Sequence, residues 1–310
     1  FLPPDCVLRL YETAAFMLGR LEYYQDAHDL LKEMKGYLKE HPSHYYTSWY
    51  YRAKAVLTNN QYGREKDRKC LKYEDAAIKA ARASKHYDAK RQLAGSLLSK
   101  VQTLLEQEKK MRLCGEMLSE ADELLTAIDN PADYEQYHLD CVAAVYCARV
   151  GDKASSIRHI DKATHHANVS QDSPLSFIEH LVEEAAVACI ELGRYEDAIR
   201  QILTAIQLCD ENEEGRRYLE TRFDAYIFLG RVYAMNEEYI RAEEAFREAE
   251  KRISDSPYEW RLPLCPEDIR EKAVAQRRLM RETDNAGSDQ GGADSGCTES
   301  DNQWQDNCHS

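Results

Sequence analysis

Apolar residues recur at helical spacing almost throughout this chain, and punctuation breaks that pattern into pairs. The first pairs fall near 5–21 and 24–41, 43–58 and 68–84, and 86–107 and 111–129. The next fall near 132–149 and 152–168, 174–192 and 195–209, and 216–235 and 238–253. A single helix is expected at about 266–282. Only 13 glycines and 8 prolines occur in 310 residues, too few for the turns a sheet would need. Ser173-Pro174 sets a capping hydroxyl before a proline at a first helical position. Pro266-Glu267-Asp268 opens the last helix with acidic residues at its positive end, and Arg277, Arg278 and Arg281 lie at its carbonyl end.

The pairs share a motif. Leu192-Gly193-Arg194-Tyr195-Glu196-Asp197-Ala198 turns one helix into the next. Phe228-Leu229-Gly230-Arg231-Val232-Tyr233 opens a further unit, which Asn236-Glu237-Glu238-Tyr239-Ile240-Arg241-Ala242, Phe246 and Ala249 close. Small residues at Ala27, Ala76, Ala121, Ser156, Ala198 and Ala242 read as one recurring anchor on the second helix of each pair. Their spacings are 49, 45, 35, 42 and 44 residues. These residues resemble the tetratricopeptide repeat, in which small side chains let two helices approach closely. The usual period of that repeat is about 34 residues, so most units here are stretched. Stretched units resemble the long-repeat arrays of bacterial signal-responsive regulators, among them maltose-activator-type proteins, peptide-pheromone receptors and the sensor ends of signal-transduction ATPases.

The resemblance implies an all-α, right-handed superhelical solenoid of about six helix-turn-helix repeats over 1–282, with 266–282 as a capping helix. It also implies a concave face lined by the first helix of each pair. Aligned on the anchors, that face takes Arg9, Glu12, Phe16 and Arg20, then Tyr50 and Lys54, then His138, Cys141, Val145 and Arg149. It continues through His180, Glu183, Val187 and Ile190 to Asp224, Ile227 and Arg231. Mixed charges, imidazoles and apolar groups suit a peptide or helix laid in a groove. The candidate binding residues are therefore Arg9, Glu12, Tyr50, Lys54, His138, Arg149, His180, Glu183, Asp224 and Arg231. The family's clamp for chaperone tails uses Asn at central positions that here hold Phe16, Lys54, Val145, Val187 and Arg231, so that clamp is not expected.

Tyr45, Tyr46, Trp49, Tyr50 and Tyr51 crowd one helix, which cannot bury all five on one stripe. They read either as binding anchors or as packing between the first two repeats. His159, His165 and His166 read as a solvated helical face, since neighbouring histidines on a helix diverge and zinc needs convergent ligands. No nucleophile motif, phosphate loop or paired-carboxylate signature is present, so neither an enzyme nor a cofactor is expected.

A formal net charge of -14 argues against a nucleic-acid face. No apolar run reaches the length needed to span a bilayer, so no membrane contact is expected. Ten cysteines without a CxxC pair point to a reducing, cytoplasmic setting. Residues 283–310 hold acidic residues and no Lys or Arg, and read as a disordered acidic tail. Phe1-Leu2-Pro3-Pro4 reads like the interior of a longer protein, so an amino-terminal effector domain is expected to be linked to the array. Together these features point to a non-catalytic scaffold or adaptor that binds proteins or peptides. The alternative is a ligand- or peptide-sensing domain of a larger signalling or transcriptional regulator.

Overall fold

The computed structural model describes residues 2–20, 23–62, 67–108, 110–128, 133–169, 178, 181–211, 216–255 and 262–288. Among them are thirteen α-helices and no strand. The helices are α1 (Pro4–Arg20), α2 (Tyr24–Glu40), α3 (His44–Tyr62), α4 (Asp67–Ala83), α5 (Ala89–Glu106) and α6 (Met111–Thr126). They continue with α7 (Asp133–Arg149), α8 (Lys153–Val169), α9 (Ala186–Glu191), α10 (Tyr195–Glu211), α11 (Arg216–Met235), α12 (Tyr239–Lys251) and α13 (Glu267–Ser288). A π-helical turn, Leu181–Ala185, leads into α9. No described helix is long and apolar enough to cross a membrane.

Each odd helix up to α11 packs on the even helix that follows, which makes six hairpins, and α13 packs on α12. Successive first helices also touch: α1 meets α3, α3 meets α5, α5 meets α7, and α7 meets α9. The chain is thus a helical-repeat solenoid with first helices in one layer and second helices in the other. Helix α13 continues to Ser288, past the expected end at 282, so residues 283–288 are helical. Residues 289–310, where the rest of the expected tail falls, lie outside the described residues, as does Ser173-Pro174.

The hairpins close at one recurrent position. The fourth residues of α2, α4, α6, α8, α10 and α12 are Ala27, Cys70, Cys114, Ser156, Ala198 and Ala242, and all six are buried. Successive members lie 43, 44, 42, 42 and 44 residues apart, a far more even period than the sequence spacing. The anchors placed at Ala76 and Ala121 are corrected to Cys70 and Cys114. Tyr73-Glu74-Asp75-Ala76 copies the hairpin motif of Tyr195-Glu196-Asp197-Ala198, but α4 begins at Asp67, so the copy falls a full turn and more inside the helix. Two anchors touch the backbone of the first helix directly. Ser156 Oγ donates to the Ala144 carbonyl at 2.8 Å, and Cys70 Sγ to the Ala55 carbonyl at 3.4 Å. Where α11 meets α12, a Cβ on Gly230 would lie 2.8 Å from the Phe246 ring, so only glycine permits the approach.

The α5–α6 turn uses two left-handed residues, Glu108 (φ 52°) and Lys110 (φ 56°), and three further hairpin turns use one each: Gly151 (φ 84°), Gly193 (φ 70°) and Glu237 (φ 60°). After each of the latter three, an amide reaches back to a carbonyl of the preceding helix: Asp152 to Cys147, Arg194 to Cys189 and Glu238 to Tyr233, at 2.8–2.9 Å. This is the usual way to satisfy the last carbonyls of a helix while reversing the chain.

The misplaced motif leaves a buried acid. Glu74 is 3% exposed. Its Oε1 accepts from Thr103 Oγ1 at 2.8 Å and Ser99 Oγ at 3.4 Å, while Oε2 has no partner. Burial pushes its pKa up to about 7, against the pull of Thr103, Lys100 and Ser99.

Two outcomes follow. Cys70→Leu is expected to destabilise the fold by about 1–3 kcal/mol through overpacking, and Ala76→Leu by clearly less, since Ala76 is only half-buried. Equal losses in thermal denaturation would return the anchor to Ala76. For Glu74, the folded chain binds more protons than the unfolded chain between the ordinary carboxylate value of 4.5 and about 7. Stability contributed by its neutral form is therefore present at low pH and is lost as pH rises through that window, by at most about 3 kcal/mol. Urea denaturation of the parent at pH 5 and pH 8 should show this fall, and Glu74→Gln should reduce it.

Candidate functional site

The first-helix layer brings together side chains that the sequence scatters over more than a hundred residues. On α3, Tyr45, Trp49 and Arg52 lie at helical spacing on one stripe. The Arg52 guanidinium sits over the Trp49 ring, 5.5 Å from its centroid. It also lies against Gly95 of α5, where a Cβ would come within 2.8 Å of Nη1. Glycine at this place leaves room for the guanidinium.

Every charged group facing Arg52 comes from a first helix or its immediate start. Burial lowers the pKa of the guanidinium, while Tyr134, Glu12, Glu135 and Tyr45 oppose that shift electrostatically. Arg52 makes no hydrogen bond or ion pair among the described residues. Beside it, the Trp49 indole Nε1 is buried without a hydrogen-bond acceptor in good geometry, although the Tyr45 hydroxyl lies close by. Glu12 on α1 is half-buried, and desolvation raises its pKa against the pull of Arg52 and Arg9.

The neighbouring charges are matched. Arg91 Nε lies 2.6 Å from Glu135 Oε1 of α7, and Arg91 Nη1 3.2 Å from Asp88 Oδ1. Tyr45 donates its hydroxyl to Asp88 Oδ2 at 3.1 Å. Burial, aided by Asp88, pushes that hydroxyl up to about 12, so it stays a donor at neutral pH.

A second polar chain crosses the middle of the layer. His138 Nε2 of α7 lies 3.0 Å from Gln102 Oε1 of α5, and Gln102 Nε2 donates to Glu184 in the π-helical turn. Glu184 and His138 are both buried. Tyr134 stacks on His138 with its ring centroid 5.9 Å away. Single π turns inside α-helices recur at functional sites because they re-aim one side chain.

The residues expected on the concave face fall into five groups. Arg9, Asp224 and Arg231 are exposed and Glu12 is half-buried, each on a first helix. Tyr50 and His138 are buried, as are Cys141, Val145 and Ile227. Lys54 points away from the first-helix layer: its Nζ lies 5.7 Å over Tyr50 and 5.3 Å over Tyr73 of α4, and desolvation and Lys35 of α2 lower its pKa. Arg149 straps hairpins together, donating to the Leu105 carbonyl at the end of α5 and from Nε to Glu191 of α9 at 3.1 Å. His180 and the side chains of Glu183 and Arg20 lie outside the described residues.

On α3 the inner stripe is thus Tyr45-Trp49-Arg52, not Tyr50 and Lys54. The aromatic cluster divides: Tyr46 and Tyr50 join the core of the first hairpins, while Trp49 accompanies Arg52. Asp88, Arg91, Gln102, Glu135 and Glu184 were absent from the expected face. The even anchor period through Cys70 and Cys114 would have located those on α3 and α5. His159 Nδ1 lies 2.7 Å from Asp140 Oδ1, with His166 Nε2 3.6 Å from Oδ2, so two of the three histidines attend a buried carboxylate. Among the described residues no His, Cys, Asp or Glu group has the arrangement of a metal site.

No family model and no curated protein matches the chain. Solved structures do. A Rap protein complexed with Competence and Sporulation Factor is similar over 82% of this chain and 78% of its own, at 14% identity with a TM-score of 0.54. The apo quorum sensor NprR from B. thuringiensis aligns over 82% of this chain and 89% of its own at 13% identity, with a TM-score of 0.25, too loose a superposition to bear on the fold. The Rap likeness agrees with the helical-repeat solenoid described above.

The two arginines once grouped as groove cations are expected to behave differently. Arg149→Ala should lower stability by about 1.5–3 kcal/mol, because it strips a charged donor from a carbonyl and leaves Glu191 unpaired. Arg231→Ala, on an exposed position, should stay within about 0.5 kcal/mol of the parent. Equal effects in urea denaturation would contradict this assignment.

Proposed function

We propose that this chain is a non-catalytic peptide- or protein-binding array that receives its ligand along the first-helix layer. One observation carries the reading. Side chains from α1, α3 and α7 converge around Trp49, whose buried indole N–H has only the Tyr45 hydroxyl nearby and no acceptor in good geometry, and around the half-buried Arg52, which makes no ion pair among the described residues. Buried donors without partners are costly in a molecule evolved for stability alone, and are common where a ligand completes the bonding. The fold supports the same reading, since a solved neighbour with this architecture is a complex with Competence and Sporulation Factor. An extended ligand would lie across several hairpins at once, which suits a layer of parallel first helices.

Two forms of this function use the same face. In an adaptor, the bound segment belongs to a partner protein. In a sensor, a peptide shifts the array between arrangements and a linked effector domain reads the change. The π-helical turn before α9, with Glu184 held in the Gln102–His138 chain, favours a sensor, because it places a locally irregular element at a point where three hairpins meet. Both forms fit a cytoplasmic protein.

Amide hydrogen exchange tests the site. With a peptide selected from a random library bound, protection is expected on α1, α3, α5 and α7. Protection confined to the second helices would move the binding surface to the opposite layer and overturn this reading.

A further inference from the structure

We infer that Arg52 and Trp49 form a carboxylate-recognition subsite, which takes an acidic group of the peptide bound along the first-helix layer. The inference rests on the peptide-binding reading above and names the chemistry of one point on that surface.

The donor set is specific. A guanidinium offers a planar fork that matches the two oxygens of a carboxylate, and the indole N–H adds a third donor beside it. The guanidinium carbon lies 5.5 Å from the centroid of the Trp49 ring, and the guanidinium packs against Gly95, the one residue type there that leaves room for it. Arg91, the neighbouring arginine, is already engaged by Glu135 and Asp88, so its charge is not available. Arg52, in contrast, makes no hydrogen bond or ion pair among the described residues.

Glu12 is the natural competitor. It feels Arg52 from α1 but forms no ion pair with it, and its burial favours the neutral form. A ligand carboxylate in contact with Arg52 would therefore outcompete a Glu12 held at a greater distance. The arrangement gives the two residues opposite roles: Arg52 attracts the ligand's acid and Glu12 opposes it. A purely structural pair would respond to both substitutions in the same direction.

The test selects heptapeptides with free C-termini from a random display library against the full chain. Synthetic versions of the best binder are then titrated with each acidic residue changed to its amide and with the C-terminus amidated. The expected result is a loss of about tenfold or more on neutralising one carboxylate. A loss on side-chain amidation assigns the group to Asp or Glu, and a loss on terminal amidation assigns it to the chain end. Arg52→Gln should erase the discrimination, and Glu12→Gln should strengthen binding of the acidic form several-fold. Where Arg52→Gln fails to fold by circular dichroism, Gly95→Ala provides the second variant, since the added methyl displaces the guanidinium without removing its charge. Peptides that bind equally with and without their carboxylates, or equally to the parent and the Arg52 variant, overturn the subsite and leave the peptide-binding reading standing. A library that yields no binder overturns both.

Discussion

The close approach of two helices at the fourth residue of each second helix is the contact on which the array depends. Ala27, Cys70, Cys114, Ser156, Ala198 and Ala242 are small enough to bring the partner backbone within reach, and two of them bond to its carbonyls. A helical hairpin with one apolar stripe cannot bury that stripe alone. Fixing the hairpin's crossing lets its first helix contact the first helices on either side. The inner layer is therefore a consequence of a set of small residues about 43 positions apart, and so is every constellation on it. Changing one anchor shifts a hairpin relative to its neighbours and moves the residues its first helix contributes.

This dependence explains where sequence reading succeeded. Pairing of helices, their number and most of their limits follow from helical periodicity, Gly193 and the Tyr195-Glu196-Asp197-Ala198 motif, because local propensity and local turn chemistry act within a few residues. The register of the second and third hairpins did not follow. Tyr73-Glu74-Asp75-Ala76 has the right letters in the wrong turn of α4, and the true anchors there are cysteines, which behave as small apolar residues when buried. A motif of four residues carries no information about where its helix begins. With the anchor displaced, the inner stripe of α3 was read as Tyr50 and Lys54, which instead face the core and the second-helix layer. The site on α1, by contrast, was legible at Glu12, since Ala27 is a true anchor.

Polar groups in the inner layer fall into two physical classes. Gln102, His138 and Glu184 satisfy one another across three hairpins, as Asp140 satisfies His159. Such closed networks specify packing, because each member would be left unpaired if its hairpin moved. Sequence alone cannot reveal them, for each partner comes from a different repeat and none forms a local motif. Arg52 and Trp49 belong to the other class: they meet in space, Arg52 without an ion pair and the Trp49 N–H without an acceptor in good geometry. A structural role accounts for the first class fully and for the second poorly.

Helix α7 shows why the open donors lie where they do. Every residue from 137 to 145 is buried, so the centre of α7 offers no surface to a ligand and only its first turn can meet one. Its polar residues are committed to the closed network, and Arg149 at its end is committed to Leu105 and Glu191. The start of α7, at Tyr134 and Glu135, remains half-buried and faces α3 and α5. An interior helix enclosed on all sides thus concentrates accessible polar groups at its first turn. There Arg91 is matched by Glu135 and Asp88, whereas Arg52 is faced only by charges held beyond ion-pair distance. An unmatched guanidinium beside a filled centre marks the place where an incoming ligand can add a bond without displacing one the fold requires.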